Sequence, residues 1–571
     1  MTTATHRPAD KAHRPTAKKP PLSARLMRRS WKGLPPKLYD VGYEPALAVP
    51  AADGSPLLTD HYFPLAEGDF PTVLVRSPYG RKLPWAPMYG VLLAEQGFHV
   101  VLQSCRGTGG SGGTYALWEH EAADGLATVD WLRGRPWFTG VLGTIGPSAL
   151  AYVQWALAVD PPPELRAMVV QVSLHDIHGF FYPSGSFSLE NSLIMTMGRV
   201  SSHRGAARLM WSALRLRRHL PKIARALPLG EAYVPGLGGR VPFLEEAMAH
   251  PDADDPHWRG ADAGAAAGRS SVPTSLITGW YDVCLDQTLQ QYDRLRRANC
   301  EAALLVGPWT HNSALAQGWP EVFADSLAWL RAHLCLDPSG LRESRVRVHL
   351  GGGRQTWHDL PDWPSAATTE RRWYPGADGT LDDRAPQDAA AALPSFRYDP
   401  ADPTPSVGGP LLSDKSGPRD NTALEARDDV LTFTGAPLAE PLCVIGPVGV
   451  ELRVSTDTGH ADVFARLCDV DRSGRSVNVC DGLWRLRPAG GDPAAAADPV
   501  DVTVPMSATA HCFPAGHRIR LQISGGAHPR FARNTGTGEP MATATRLVAT
   551  KVSLHHPSAL VLPVAEVPEE S

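Results

Sequence analysis

Three short segments of this 571-residue chain end on side chains that together suit acyl chemistry. GTIGPSALAYVQW carries Ser148 where a small-residue strand meets a helix-forming run, SLITGWYD ends at Asp282, and AALLVGPWTH ends at His311. A serine hydroxyl is a poor nucleophile until a base takes its proton and donors meet the oxyanion formed on attack. Histidine is the usual base, and an aspartate behind it fixes the imidazole tautomer and stabilises imidazolium. Taken singly, each residue has an ordinary reading as a helix-capping serine, a turn aspartate or a solvated histidine. Their placement at successive strand ends is what favours the chemical one.

A second serine competes for the nucleophile's place. Gly109, Ser111 and Gly113 in RGTGGSGGTY satisfy G-x-S-x-G letter for letter, but no helix-forming run follows and the flanking glycines favour a loop. The elbow that exposes a catalytic serine needs a strand before it and a helix N-terminus behind it, and Ser148 has both. The chain order Ser, Asp, His is that of α/β-hydrolases and differs from the orders in chymotrypsin and subtilisin. His175 and His178 have the spacing of a metal-binding pair without a third ligand nearby, so no metal is expected. The glycine-rich loop lacks the Lys and Ser/Thr of a phosphate cradle, and no cofactor is expected.

The elements that must position these residues are legible as period changes. From residue 41 to 173, short apolar runs (TVLVRS, FHVVLQS, VLGTIG, AMVVQVS) alternate with helical stretches, which means crossover units and a mostly parallel sheet. Residues 174–270 lose the β-branched runs and gain sequence such as RGAARLMWSALRLRRHL, where Leu209, Met210, Leu214 and Leu216 form a loose stripe; a helical cap is expected there. The sheet pattern returns over 271–340. From 341 to 571 short alternating strands take over, as in HRIRLQIS, where Ile519, Leu521 and Ile523 oppose Arg518, Arg520 and Gln522, and VDVTV, with Val500, Val502 and Val504 on one face. Many such strands between Gly, Pro and Asp turns predict a jelly-roll sandwich, with the Ala-rich PAGGDPAAAADP as a surface loop.

Composition bounds the partners. With 43% hydrophobic and 20% charged residues and a net charge of −4, the chain has no overall field to draw nucleic acid or an anionic membrane. No run of 18 apolar residues is present, so no membrane span is expected. A small-molecule acyl substrate is the expected partner, and homo-oligomer formation is left open. The eight cysteines lack C-x-x-C or zinc-finger spacing and read as buried hydrophobes in a reducing compartment. Residues 1–40 are rich in Lys, Arg and Pro; Arg28-Arg29 is not followed by the apolar core of an export signal, so a disordered basic tail and cytoplasmic residence are expected.

RSPYGRK, QSCRGTGGSGG, GTIGPSALAYVQW, AHPDADDPHWRG, ITGWYD, VGPWTH and GHRIRLQISGGAHPRFARNTGTG together resemble the CocE/NonD family of hydrolases, which share the peptidase S15 (X-Pro dipeptidyl-peptidase) architecture. The resemblance runs from about residue 40 almost to the C-terminus. It implies an α/β-hydrolase domain with a helical cap and a C-terminal jelly roll, with Ser148 as nucleophile, Asp282 as triad acid and His311 as base. It also implies an oxyanion hole made by Tyr79 and the backbone N–H of Ala149. The family elbow, G-x-S-Y-x-G, is altered here to Gly146, Pro147, Ser148, Ala149, Leu150, Ala151, which removes bulk beside the nucleophile. The acidic cluster of α-amino-acid ester hydrolases is absent after Asp282, where the chain reads VCLD. Hydrolysis of an ester, ahead of an amide or X-Pro peptide bond, is therefore expected. Acyl transfer or cyclisation on the same triad, and a catalytically silent binding protein, are the alternatives.

Overall fold

Runs that are apolar along their whole length demand a sheet covered by helices on both faces. The computed structural model, which describes residues 18–201, 205–387, 392–488 and 498–566, has such a sheet. Its strands are β1 (Val41–Pro50), β2 (Pro56–Pro64), β3 (Thr72–Ser77), β4 (His99–Ser104), β5 (Leu142–Pro147), β6 (Leu165–Gln171), β7 (Thr274–Tyr281), β8 (Ala302–Thr310) and β9 (Val346–Gly352). They lie in the spatial order β1-β2-β4-β3-β5-β6-β7-β8-β9, antiparallel from β1 to β4 and parallel from there on. Every residue of β3, β4 and β5 is buried. Trp155, from the helix Ala149–Ala158, anchors the core on one face, and Trp319 and Phe323, from Trp319–Leu334, anchor it on the other.

Between β6 and β7 the chain leaves the sheet and forms helices over Ile177–Phe181, Leu189–Ser201, Ala206–Arg225, Val234–Leu237 and Pro242–Ala249. The stripe expected on the third of these is corrected. Leu216 is buried, but Met210 and Leu214 are 65% and 61% exposed, and the buried face runs through Ser212, Leu216 and Ile223 instead. Steps of four and seven keep those three on one side of a 3.6-residue helix, whereas Met210 and Leu214 fall on the other.

β9 lies beyond the boundary expected at 340, yet it pairs parallel with β8 and also with Thr509–Phe513, so one continuous ladder joins the two parts of the molecule. The C-terminal part is a β-sandwich. Its second sheet orders Val430–Thr434, Arg518–Ser524, Ala461–Val470 and Ser476–Leu486. Ile519, Leu521 and Ile523 all point into the core, as the alternation predicts. Gln522 departs from it: it is buried on the opposite face, where its amide donates to Glu425 Oε1 at 2.6 Å. Val500 also departs, at 44% exposed.

Three expectations about the periphery change or fall outside the described residues. Positions 1–17 of the tail and 489–497 of the Ala-rich loop are among those outside. Residues 18–40 are not a disordered tail: Leu22–Ser30 is a helix whose Ala24 is buried, held by Arg28 Nε donating to Glu95 Oε2 at 2.8 Å. The cysteines are not all free hydrophobes either. Cys443 and Cys512 face each other on paired strands and form a disulfide, and Cys335 is exposed.

The close packing of β5 on its helix gives a test. A Cβ at Gly146 would lie 2.6 Å from Leu150 Cβ. Gly146→Ala is expected to cost about 1–3 kcal/mol by overpacking, read as a lower denaturation midpoint at unchanged m-value; an unchanged midpoint would mean that this junction has slack.

Candidate active site

β5 stops at Pro147 and the next helix starts at Ala149, leaving one residue to reverse the chain. Ser148 makes the reversal with φ +57° and ψ −122°. A non-glycine residue so placed costs on the order of 1–3 kcal/mol and persists only where its surroundings over-determine it. Here the Ser148 N–H donates to Gln171 O at 2.9 Å, and its carbonyl accepts from Ala151 N at 2.8 Å and Tyr152 N at 3.1 Å. Gln171 is itself locked by Tyr89, whose hydroxyl donates to Oε1 at 2.6 Å, and through Nε2 donating to Ser326 at 2.8 Å. Ala151, standing where the related elbow has glycine, is fully buried and its methyl is absorbed into the core.

Asp282 and His311 follow the ends of β7 and β8, which are neighbours in the sheet. Asp282 is 2% exposed, and its carboxylate takes three donors: His311 Nδ1 to Oδ1 at 2.7 Å, Cys284 N to Oδ1 at 3.0 Å, and Thr278 Oγ1 to Oδ2 at 2.8 Å. With Nδ1 donating to a carboxylate, the tautomer leaves Nε2 as the basic nitrogen. His311 is held in place by the turn it opens, where Thr310 caps Ser313 N and Ser313 Oγ accepts from Thr310 N. The ligand atoms of Asp282, Cys284 and His311 lie within 4.8 Å of one another, but Asp282 and His311 bond to each other and burial pushes the Cys284 thiol well above its ordinary range.

Ser148, Ala149, His311 and Tyr79 line one cavity of about 550 Å³. Tyr79 sits in the turn after β3, with its ring stacked on Trp85 at 6.1 Å. Burial pushes its phenol above the ordinary value of 10.0, while the Arg199 guanidinium and the Ser148 hydroxyl beside it pull the other way. The remaining walls are mostly apolar, with Leu117, Ile177, Phe181, Ile194 and Leu315 among them, and no acidic side chain lines the cavity among the described residues.

Two lining residues carried no sequence signal. Arg199 enters from the cap helix Leu189–Ser201, its guanidinium 4.7 Å from the Tyr115 ring and 5.8 Å from the Tyr79 ring. Leu412 arrives from the C-terminal part, its carbonyl accepting from Asn312 Nδ2 at 2.8 Å and its N–H donating to Asn191 Oδ1 at 2.9 Å. Nothing local to either residue announces a contact that spans so many residues.

The competing residues have other work. Ser111 Oγ donates to Ser104 O at 2.9 Å and accepts from Leu58 N at 2.9 Å, so it pins the glycine-rich loop to the sheet. His175 Nδ1 pairs with Gln291 Nε2 at 3.0 Å, and burial lowers its pKa to about 4. His178 bonds Pro251 O at 3.0 Å.

Residues 53–313 match the X-Pro dipeptidyl-peptidase (S15 family) domain and residues 340–559 the X-Pro dipeptidyl-peptidase C-terminal non-catalytic domain. Fold and match define a serine hydrolase, built as an α/β-hydrolase domain with helical insertions and a C-terminal β-sandwich. Across 566 aligned residues the chain is 30% identical to the cocaine esterase of Rhodococcus sp. (strain MB1 Bresler), covering 90% of this chain and 97% of that one. It belongs to the CocE/NonD family of hydrolases, peptidase S15. The same fold occurs in an α-amino acid ester hydrolase (TM-score 0.78, 20% identity, 94% of this chain and 98% of that one). It also occurs in a CocE/NonD family hydrolase from Staphylococcus aureus (TM-score 0.67, 18% identity, 92% and 94%).

The two bonds of Ser111 set a prediction. Ser111→Ala leaves a backbone N–H and a carbonyl without that partner, a loss of about 1–3 kcal/mol. Chemical denaturation should register the loss while turnover by the folded variant stays near wild type; turnover falling with stability unchanged would reassign the serine.

Proposed function

We propose that this hydrolase cleaves a carboxylic ester with a bulky acyl group that carries no ammonium, through an acyl-enzyme on Ser148. His311 Nε2 takes the hydroxyl proton as Ser148 Oγ attacks, and the imidazolium, steadied by Asp282, returns it to the leaving alcohol. Water then repeats the sequence on the acyl-enzyme. The oxyanion lies between the Tyr79 phenol and the Ala149 N–H, one of the donors that a helix N-terminus leaves without an intrahelical partner.

The observation that carries this reading is the 2.7 Å Asp282–His311 bond, made by a histidine that opens on the same cavity as Ser148 and Tyr79. The substrate class is supported by the apolar walls, by their lack of an acidic group to meet an ammonium, and by Ala149, which adds room beside the nucleophile. The esterase activity in the name of the Rhodococcus relative agrees.

A fluorophosphonate reports a serine whose proton is being removed and whose oxyanion is being stabilised. Peptide mapping is expected to find one adduct, on Ser148, lost in His311→Ala and kept in Ser111→Ala; an adduct on Ser111 would overturn the site, and no adduct on folded protein would favour a silent binder. Asp282→Asn should lower kcat by up to about 10⁴-fold with the fold intact, and near-normal turnover would move the role to another carboxylate. Tyr79→Phe should lower kcat by roughly 10² to 10³ with KM little changed. Since the phenol donates only while protonated and burial raises its pKa, wild-type kcat should hold level up to about pH 10. A fall well below that pH, absent in Tyr79→Phe, would contradict the buried, neutral phenol.

A further inference from the structure

The cap helix Leu189–Ser201 gives the substrate cavity a wall made by Ile194, Met195, Gly198 and Arg199. The two adjacent pairs stand one helical turn apart, so all four share one side of the helix. A stripe turned to an apolar cavity is expected to be apolar throughout, and Ile194 and Met195 meet that expectation. Gly198 and Arg199 break the pattern, each in its own way.

Glycine inside a helix weakens it relative to alanine, and it is usually kept for a close approach. No close approach exists here: a Cβ at position 198 would have no atom within 4 Å, so the glycine leaves open space on the cavity side. Arg199 beside it is buried, and desolvating a guanidinium costs stability that an aliphatic side chain in the same stripe would not. Its charge stands 4.7 Å from the Tyr115 ring and 5.8 Å from the Tyr79 ring, within cation–π reach of both. Tyr79 is the phenol that the ester reading puts at the oxyanion, so the cation lies close to the reacting centre. Among the described residues it is the only Arg or Lys in the cavity lining, where no Asp or Glu stands.

We propose that Arg199 selects an ester that carries a second, free carboxylate, bound by the guanidinium with Gly198 leaving room beside it. This rests on the ester reading and deepens it by naming a charge on the substrate. The planar guanidinium matches a carboxylate with two parallel hydrogen bonds, and between apolar walls the attraction is stronger than in water. A neutral analogue would displace water from the guanidinium without offering an anion, which is how a buried polar group discriminates between substrates.

The test uses esters in pairs that differ only in whether the second carboxyl is free or methyl-capped. One arm takes 4-nitrophenyl esters of dicarboxylic acids of increasing chain length, with the carboxyl on the acyl side; the other takes hexanoate esters of 4-hydroxybenzoic acid, with the carboxyl on the alcohol side. In one arm the free acid is expected to exceed its capped partner by about 10²-fold in kcat/KM, and the arm that shows this places the carboxylate. Arg199→Met should bring the ratio near one. Arg199→Lys, which keeps a charge and serves if Arg199→Met does not fold, should lose part of the preference, since an ammonium lacks the planar fork. Calorimetric binding of the same pairs to Ser148→Ala, which does not consume them, should show tighter binding of the free acid. No preference in either arm, a ratio unchanged in Arg199→Met and Arg199→Lys, or a fall in kcat shared equally by both members of each pair, as expected if Arg199 acts only through Tyr79, would each overturn the proposal. Failure of the ester reading looks different: no ester is turned over and no fluorophosphonate adduct forms, while the affinity difference on Ser148→Ala still decides the role of Arg199.

Discussion

The left-handed turn at Ser148 is the constraint on which the rest of the site depends. A strand that passes straight into a helix has one residue in which to reverse, and the reversal holds a serine where its side chain faces the cavity and the next N–H stands at a helix start. The strain, on the order of 1–3 kcal/mol, is met by the hydrogen bond to Gln171 and by a glycine at 146 that lets Leu150 sit against the strand. The parallel sheet does the remainder. Because β5, β6, β7 and β8 run the same way in adjacent places, whatever follows each of them emerges at one edge, and Asp282 and His311 meet there without a long loop to guide them.

Local patterns carried the sequence reading as far as local physics reaches. The runs that became β3 to β8 were legible because burial on both faces demands unbroken apolar residues, and Ile519, Leu521 and Ile523 because a half-buried strand must alternate. Ser148 was separable from Ser111 because an elbow needs a helix behind it. What failed was whatever depends on a distant partner. Gln522 is buried because Glu425 waits for it, Cys443 is bridged because strand register brings Cys512 opposite, and the segment around Ala24 is helical although its neighbours in sequence look like a solvated tail. Met210 and Leu214 show the converse: apolar residues in a helix need not mark its buried face.

Charge inside the sandwich is arranged as a bolt. Asp481 is buried, which works against its ionisation, but Arg530 and Arg466 outweigh this and hold it below the usual carboxylate range. Arg466 also donates to Val407 O and Asn421 Oδ1, both at 2.6 Å. The loop between those two residues is thereby gripped at both ends by one guanidinium, and Leu412 is carried within it.

That loop leaves the sandwich and puts Leu412 into the wall of the cavity that Ser148 lines, so one point on the pocket's boundary comes from a distant stretch of chain. A lineage of such enzymes is free to lengthen, shorten or repaint this stretch while the nucleophile, base and acid stay untouched. One position of the pocket wall is in that sense encoded far along the gene from the others, and homologues are expected to differ in what they accept partly by drifting at positions around 412.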